Sequence, residues 1–212
     1  KSFFVHEIEQ ELKKYFFYME SGSSKDIKIS LPINKNIYNL TFLLIKKPEY
    51  QLKELDLNKA AILEEVLSMR YLINENFNTK KIKETKPSSV KQDGQNDYLF
   101  VTNNKENLQS IITEKEGEDL ILSVGNDSEE EIQYAIIAFN NWEQVKVIDN
   151  KKVIYTTVSP ASRKMFNFKL PNVKKESNFQ FISLPFPNQV SEGNYMSQQA
   201  IGSFRVLIEN RD

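Results

Sequence analysis

Residues 164–170 read KMFNFKL, and this short stretch decides the fold of the larger part of the chain. Large apolar side chains at Phe166 and Phe168 alternate with the polar side chains of Asn167 and Lys169. Because successive side chains of a β-strand point to opposite faces of its sheet, this alternation predicts a strand with one face in a core. We therefore expect a sheet protein in this part of the chain.

Short apolar runs of the same kind occur throughout residues 98–212. They are separated by Asn, Asp, Gly, Pro or Ser, which favour turns, and no helical period interrupts them. This succession predicts an all-β antiparallel β-sandwich over residues 98–212. The runs are YLFV (98–101), LQSIIT (108–113), DLILSVG (119–125), EIQYAIIAFN (131–140), EQVKVI (143–148), KVIYTTV (152–158), KMFNFKL (164–170), NFQFISLPF (178–186) and SFRVLIE (203–209).

The succession of strands resembles that of bacterial immunoglobulin-like surface modules. The resemblance implies an immunoglobulin-like sandwich and a place on a cell surface. It covers residues 98–212 and is one of pattern, since the chain has no cysteine and therefore lacks the Cys-Trp-Cys spacing of antibody domains.

Residues 1–78 show a different pattern, which predicts a small α+β domain. Apolar side chains recur at steps of three and four in residues 3–20, as in an amphipathic helix. Two strands are predicted next, IKISLP (27–32) and NIYNLTFLLIKK (36–47), and the near-continuous apolar run in the second indicates a central strand. A second helix is predicted over residues 57–77, with Asp56 or Asn58 as its N-cap. The apolar positions of the first helix are Phe4, Ile8, Leu12, Tyr15, Phe16 and Met19.

Residues 79–97 separate the two regions. They collect Lys, Pro, Ser, Gly and Asp without any periodicity, which predicts a linker. Contact of the lysines with an anionic membrane surface is the alternative interpretation.

Composition excludes several classes of chemistry. The absence of cysteine excludes disulfides, thiolate metal sites, iron-sulfur clusters and cysteine nucleophiles. The one histidine, His6, falls in the first predicted helix, so multi-histidine metal sites have no support. The 28 basic and 29 acidic residues nearly cancel, which argues against nucleic acid as a partner. We therefore expect no cofactor and no metal ion.

The acidic stretch NDSEEE (126–131) is the strongest candidate for a metal site in this sequence. It lacks the ligand spacing of calcium-binding loops. Connections between antiparallel strands alternate between the two ends of a sandwich, and this parity places NDSEEE beside the lysine-rich turns at 149–152 and 172–177. We predict a charge-balanced turn, with calcium binding as the alternative.

Loop parity also yields a candidate binding site at the opposite end. It places there the turn with the only tryptophan, Trp142, the turn SPASR (159–163) with Arg163, and the long loop 187–203 with Tyr195 and Met196. Long loops on a rigid sandwich are common recognition surfaces, and aromatic side chains supply contact area at low entropic cost. The alternative is that Trp142 caps the core and Tyr195 folds back onto it.

These observations predict a non-catalytic binding or assembly module, recognising a protein or a cell-wall glycan through its sandwich loops. A glycan hydrolase that uses a pair of carboxylates is the alternative. Both would act outside the cytoplasm, at the surface of a bacterium or secreted from it, as the Asn- and Lys-rich, Cys-free composition suggests. Because the apolar runs are shorter than the roughly 18 to 20 residues that cross a bilayer, membrane contact is expected only through an anchor before Lys1. The oligomeric state is left open.

Overall fold

The computed structural model describes residues 16–28, 39–54, 56–73, 83–93, 99–103, 107–108, 111–113, 120–170, 175–190, 193 and 195–209. These residues form mostly β-strands, together with one short α-helix. The elements are β1 (Asn39–Ile45), α1 (Leu57–Glu64), β2 (Val66–Leu72), β3 (Ser89–Lys91), β4 (Leu99–Asn103), β5 (Ile111–Thr113), β6 (Leu120–Asn126), β7 (Ile132–Asn140), β8 (Glu143–Val145), β9 (Val153–Val158), β10 (Ser162–Phe168), β11 (Ser177–Pro185), a 3-10 helix (Met196–Gln198), β12 (Ile201–Gly202) and β13 (Val206–Glu209).

Two sheets pack face to face, as in a β-sandwich. The first has the order β3-β10-β6-β4, and the second has the order β5-β13-β11-β7-β8, with β9 also paired to β7 and β12 to β11. Among the described strands, every pair is antiparallel except β5 with β13, which departs from the purely antiparallel prediction. The immunoglobulin-like strand order stays a prediction.

The KMFNFKL stretch forms β10 as its alternation predicts. Phe166 and Phe168 are buried, whereas Asn167 between them is exposed. The ring of Phe168 lies 6.0 Å from that of Phe179 and 5.0 Å from that of Phe181, both on β11 in the other sheet. Alternating side chains thus bring the two sheets together through aromatic contacts.

The strand β7 is buried on both faces. Ile136 and Ala138 belong to the core between the sheets, whereas Ala135, Ile137 and Phe139 belong to a second cluster on the outer side of the larger sheet. A hairpin of β1 and β2 covers this outer side and packs on it through Leu43, Ile45 and Val66. The hairpin is therefore a third layer.

The second predicted helix is correct only in its first part. It begins after Asp56, whose carboxylate accepts hydrogen bonds from the backbone N–H groups of Asn58 and Lys59, both at 3.1 Å, as an N-cap does. These bonds, above all the one from Lys59, lower the pKa of Asp56. The helix ends at Glu64, and its predicted continuation is wrong over residues 66–72, because they pair with β1 along its whole length. Residues 74–77 of the predicted helix lie outside the described residues.

The first predicted helix lies mostly outside the described residues. Residues 16–20 are described and are not helical, so the prediction fails there, while residues 3–15 are outside the description. The predicted strand IKISLP is likewise only partly covered, and its first two residues, Ile27 and Lys28, are not in a strand.

Residues 85–91 run along one edge of the sandwich. The backbone N–H of Thr85 donates to the carbonyl of Tyr155 at 2.8 Å, and β3 pairs with β10. The sequence did not predict β3. The division into residues 1–78, a linker at 79–97 and a sandwich at 98–212 stays a prediction.

Candidate functional site

The strand pairing changes which loops share an end of the sandwich. Val145 of β8 pairs with Ala138, and Val153 of β9 pairs with the adjacent Ile137, so β8 and β9 follow one another along the same edge of β7. Loop parity counts them as two strands that run in opposite directions. The turn at 159–161 consequently lies beside the acidic stretch, where Ser162 pairs with Asn126, and not at the opposite end.

Trp142 lies in the two-residue turn between β7 and β8. Both residues of this turn have a positive φ, 45° at Asn141 and 65° at Trp142, a region that tryptophan rarely adopts. The side chain is only 9% exposed, its Nε1 donates to the carbonyl of Pro48 at 2.8 Å, and the guanidinium of Arg205 lies 4.9 Å from the ring centroid. Trp142 thus ties its turn to the segment that follows β1.

Tyr195 and Met196 are 55% and 80% exposed. Their loop leaves β11 at Pro185, which pairs with Tyr134, whereas Trp142 follows the other end of β7. The loop therefore starts at the end opposite Trp142, and loop parity is wrong for this pair. Further along the loop, Gln199 accepts a hydrogen bond from the backbone N–H of Ser68 on β2 at 3.1 Å.

Arg163 lies on β10, opposite Gly125 and Lys91. Its guanidinium is ion-paired with Asp93 and is mostly buried. The structure does not place it with Trp142. A binding role for Arg163, Trp142, Tyr195 and Met196 stays a prediction.

The acidic stretch forms a turn held by its own side chains. The amide nitrogen of Asn126 donates to the carbonyls of Glu130 at 2.7 Å and Val158 at 2.9 Å. Its amide oxygen accepts from the backbone N–H and the hydroxyl of Ser128 at 3.0 and 2.7 Å. Over the described ranges, no group of three or more His, Cys, Asp or Glu side chains is placed to hold a metal ion.

An apolar surface lies on the hairpin of β1 and β2. Because Leu43, Ile45 and Val66 pack inward, the alternate side chains point away from the sandwich. The outward-pointing side chains of β1 are those of Leu40, Phe42 and Leu44. They and their partners on β2 are apolar or aromatic. We call this surface the outward face; it consists of Leu40, Phe42, Leu44, Leu67, Met69 and Tyr71.

The outward face is open to solvent at its centre. Leu44, Leu67, Met69 and Tyr71 are between 46% and 53% exposed. The ring of Tyr71 lies edge-on to that of Phe42 at 5.9 Å, and its hydroxyl donates to the sulfur of Met69 at 2.6 Å. The side chains of the face therefore hold one another in position.

Charged groups lie at the end of the hairpin and not on the outward face. The ammonium of Lys46 and the carboxylate of Glu65, the residues that flank Ile45 and Val66, form an ion pair at 2.5 Å. Both side chains are nearly half exposed. An apolar centre with a charged margin is the arrangement found in protein–protein interfaces.

A buried arginine fixes one end of the hairpin. Arg205 is 1% exposed, and its guanidinium donates to the carbonyls of Lys46, Lys47, Tyr50 and Leu63 at 3.1, 2.6, 3.2 and 3.4 Å. Burial lowers the pKa of Arg205 to about 10, so it remains charged at neutral pH. The charge is met by carbonyl dipoles and by the indole ring of Trp142.

A second arginine fixes the other end. Arg70 is buried on the inward side of β2, and its guanidinium donates to the carbonyls of Pro185, Phe186 and Gln189 at 3.2, 2.8 and 2.9 Å. Asn39 at the start of β1 donates to the carbonyl of Pro187 at 3.1 Å. The hairpin is thus held at both ends, and its outward face is carried on a fixed support.

This surface was not predicted from the sequence, although two signals were present. NLTFLLI in β1 is apolar at successive positions, which is the pattern of a strand with two apolar faces. Arg70 lies within β2 and Arg205 lies directly before β13, each next to apolar residues, and a buried charge needs partners. Because residues 66–72 were predicted to be helical, the second strand of the face was not predicted.

No family model matches the chain, and no curated protein matches it. In the part of the chain that the structure covers, no helix has the length and apolar character needed to cross a membrane.

Proposed function

We propose that this protein is a non-catalytic binding or assembly module, and that it recognises another protein through the outward face of the β1–β2 hairpin. We further propose that it acts outside the cytoplasm, secreted or held at a cell surface, a setting that suits a chain without cysteine. The observation that carries the proposal is the row of half-exposed apolar side chains at Leu44, Leu67, Met69 and Tyr71.

The chemistry of the outward face favours a protein as the partner. Burying apolar surface is the main favourable contribution to protein association, whereas a glycan requires polar groups that bind its hydroxyls. The cross-strand pairs Leu44–Leu67 and Phe42–Met69 offer no such groups. Contiguous apolar surface with a charged margin is typical of interaction sites.

The support of the outward face favours binding over a purely structural role. The bonds of Arg205 and Arg70 fix the hairpin before any partner arrives, so little conformational entropy is lost on association. In this proposal Trp142 positions the hairpin through Pro48 and does not contact the partner. Tyr195 and Met196, in the loop that bonds Ser68, extend the contact area.

Site-specific photo-crosslinking in the cells of origin tests the proposal. A benzoylphenylalanine at Met69 should crosslink to one discrete protein, and Leu44→Asp should abolish that product by placing a charge on the face. Val90 supplies the control position, because it is 52% exposed and lies on β3. Equal products from positions 69 and 90, or a product that persists with Leu44→Asp, would contradict the proposal.

A further inference from the structure

Residues 84–93 form a strap along one side of the sandwich, where β9 and β10 lie next to one another. The backbone N–H of Thr85 donates to the carbonyl of Tyr155 on β9 at 2.8 Å. That of Ser88 donates to the carbonyl of Met165 on β10 at 2.7 Å, and the strap then pairs with β10 through β3. One extended segment therefore bonds to the edges of both sheets.

Two cationic side chains of β10 hold the strap by charge. The guanidinium of Arg163 is ion-paired with Asp93, and the ammonium of Lys164 lies 3.8 Å from the carboxylate of Glu84. Both cations are mostly buried, whereas both carboxylates are more exposed. Glu84 also accepts a hydrogen bond from the hydroxyl of Thr157 on β9. The edge therefore binds an extended segment that has an acidic side chain near each end.

The strap uses only part of the edge of β10. This strand pairs with β6 over seven residues but with β3 over three. Continuation of the same register would place Pro87 opposite Asn167, and proline has no N–H group to donate. The backbone N–H of Asn167 donates to the hydroxyl of Ser88 at 2.8 Å. A strand without proline at this position would form more main-chain hydrogen bonds to β10 than the strap does.

The strap buries little of its own side-chain surface. Among its residues, all of which the structure describes, Thr85 alone is buried, and the apolar Val90 is exposed. Main-chain hydrogen bonds at an edge and partly exposed ion pairs thus hold it in place. Segments with few buried apolar contacts open locally at a low free energy. The strap can therefore leave β10 without unfolding the core between the sheets.

We propose that the edge of β10 beside β9 is a strand-addition site for an extended segment of another protein, and that the strap occupies this site in the free molecule. The incoming segment pairs with β10 as β3 does and places carboxylates at Arg163 and Lys164. Until then the strap keeps the edge from pairing with unrelated strands. The site does not include the outward face, so the proposal is independent of the function proposed above.

A synthetic peptide tests the site. The probe has the sequence of residues 84–93 with threonine in place of Pro87 and carries fluorescein, so that anisotropy reports its binding. In the full chain, Glu84→Lys with Asp93→Lys reverses both charges that hold the strap. We expect this double variant to bind the probe at least about tenfold more tightly than the natural protein, because the strap no longer competes.

Two controls accompany this measurement. Glu65→Lys reverses an exposed carboxylate outside the strap and should leave the affinity for the probe at the natural value. A second probe with lysine at both ends, in place of Glu84 and Asp93, should bind the double variant at least about tenfold more weakly than the first. Equal binding of the two probes, or no binding of the first probe to the folded double variant, would overturn the site.

Hydrogen exchange in the natural protein tests displacement without any variant, and it decides the question if the double variant does not fold. Excess probe should raise the exchange rate of residues 85–91 severalfold, because the probe takes their place on β10. The amides of β11 should stay as protected as before. Unchanged exchange of residues 85–91 at millimolar probe would make the strap a permanent part of the sheet and would refute the proposal.

Discussion

Trp142 is a buried link in this structure, since its indole donates to Pro48, contacts Arg205 and lies in a turn with φ at 65°. We expect Trp142→Ala to lower the free energy of unfolding by about 3 to 5 kcal/mol, as truncation of large buried side chains does. Tyr195→Ala should change it by less than about 0.5 kcal/mol, because Tyr195 is exposed. Denaturant unfolding measures both values.

The opposite outcome would favour the binding role that the sequence predicts for Trp142 and Tyr195. If Trp142→Ala leaves the free energy of unfolding within about 1 kcal/mol of the natural protein and weakens partner binding, Trp142 is a recognition residue and not a support. Loss of binding in Tyr195→Ala alone would place the contact on the loop after β11.

At this scale the sequence was informative about local roles and silent about distant ones. Asp56 could be predicted as a cap because its partners lie two and three residues away. The partners of Arg205 are carbonyls of residues 46–63, more than a hundred positions earlier in the chain. Every residue has a main-chain carbonyl, so the sequence does not show which carbonyls accept hydrogen bonds from Arg205. The role of this arginine in fixing the hairpin could therefore not be predicted.

The contact between β12 and the end of α1 is close enough to test by adding one methyl group. A Cβ at Gly202 would lie 2.2 Å from the carbonyl oxygen of Glu64 and 2.7 Å from Nε2 of Gln180. We expect Gly202→Ala to cost about 1 to 3 kcal/mol of stability, because the backbone of Glu64 would have to move. Gly193→Ala is the matched control, since nothing lies within 4 Å of its Cβ.

Equal unfolding free energies for the two alanine variants would contradict this contact. They would mean that α1 and the β1–β2 hairpin are not seated on the larger sheet as described. The measurement therefore checks the third layer independently of any partner.

Individual elements were predicted where the pattern had one interpretation. β10 and β11 alternate and pack across the core, as expected. Residues 66–72 satisfy helical spacing and also suit a strand, and pairing with β1 decides between them. The strand β3 has three residues and takes its stability from β10, so its own sequence carried no signal.

For the whole molecule, alternation and turn residues sufficed to predict a sandwich. The third layer could not be predicted, because a hairpin packed on the outer side of a sheet depends on which faces meet and not on the pattern of one strand. Some loops were also assigned to the wrong end of the sandwich. Loop parity counts β8 and β9 as strands of opposite direction, whereas both run antiparallel to β7 along the same edge. The predicted grouping of Trp142 with the other loops at one end depended on this assignment. The apolar face of the hairpin was not predicted.

The central claim is that the outward face of the hairpin binds a partner, and the double variant Leu67→Asp with Met69→Asp tests it most directly. Both side chains are about half exposed, so the free energy of unfolding should stay within about 1 kcal/mol of the natural value. In size fractionation of extracts from the cells of origin, we expect the natural protein and Val90→Asp to elute in a larger complex and the double variant to elute as the free chain. A folded double variant that still elutes in the complex would contradict the claim.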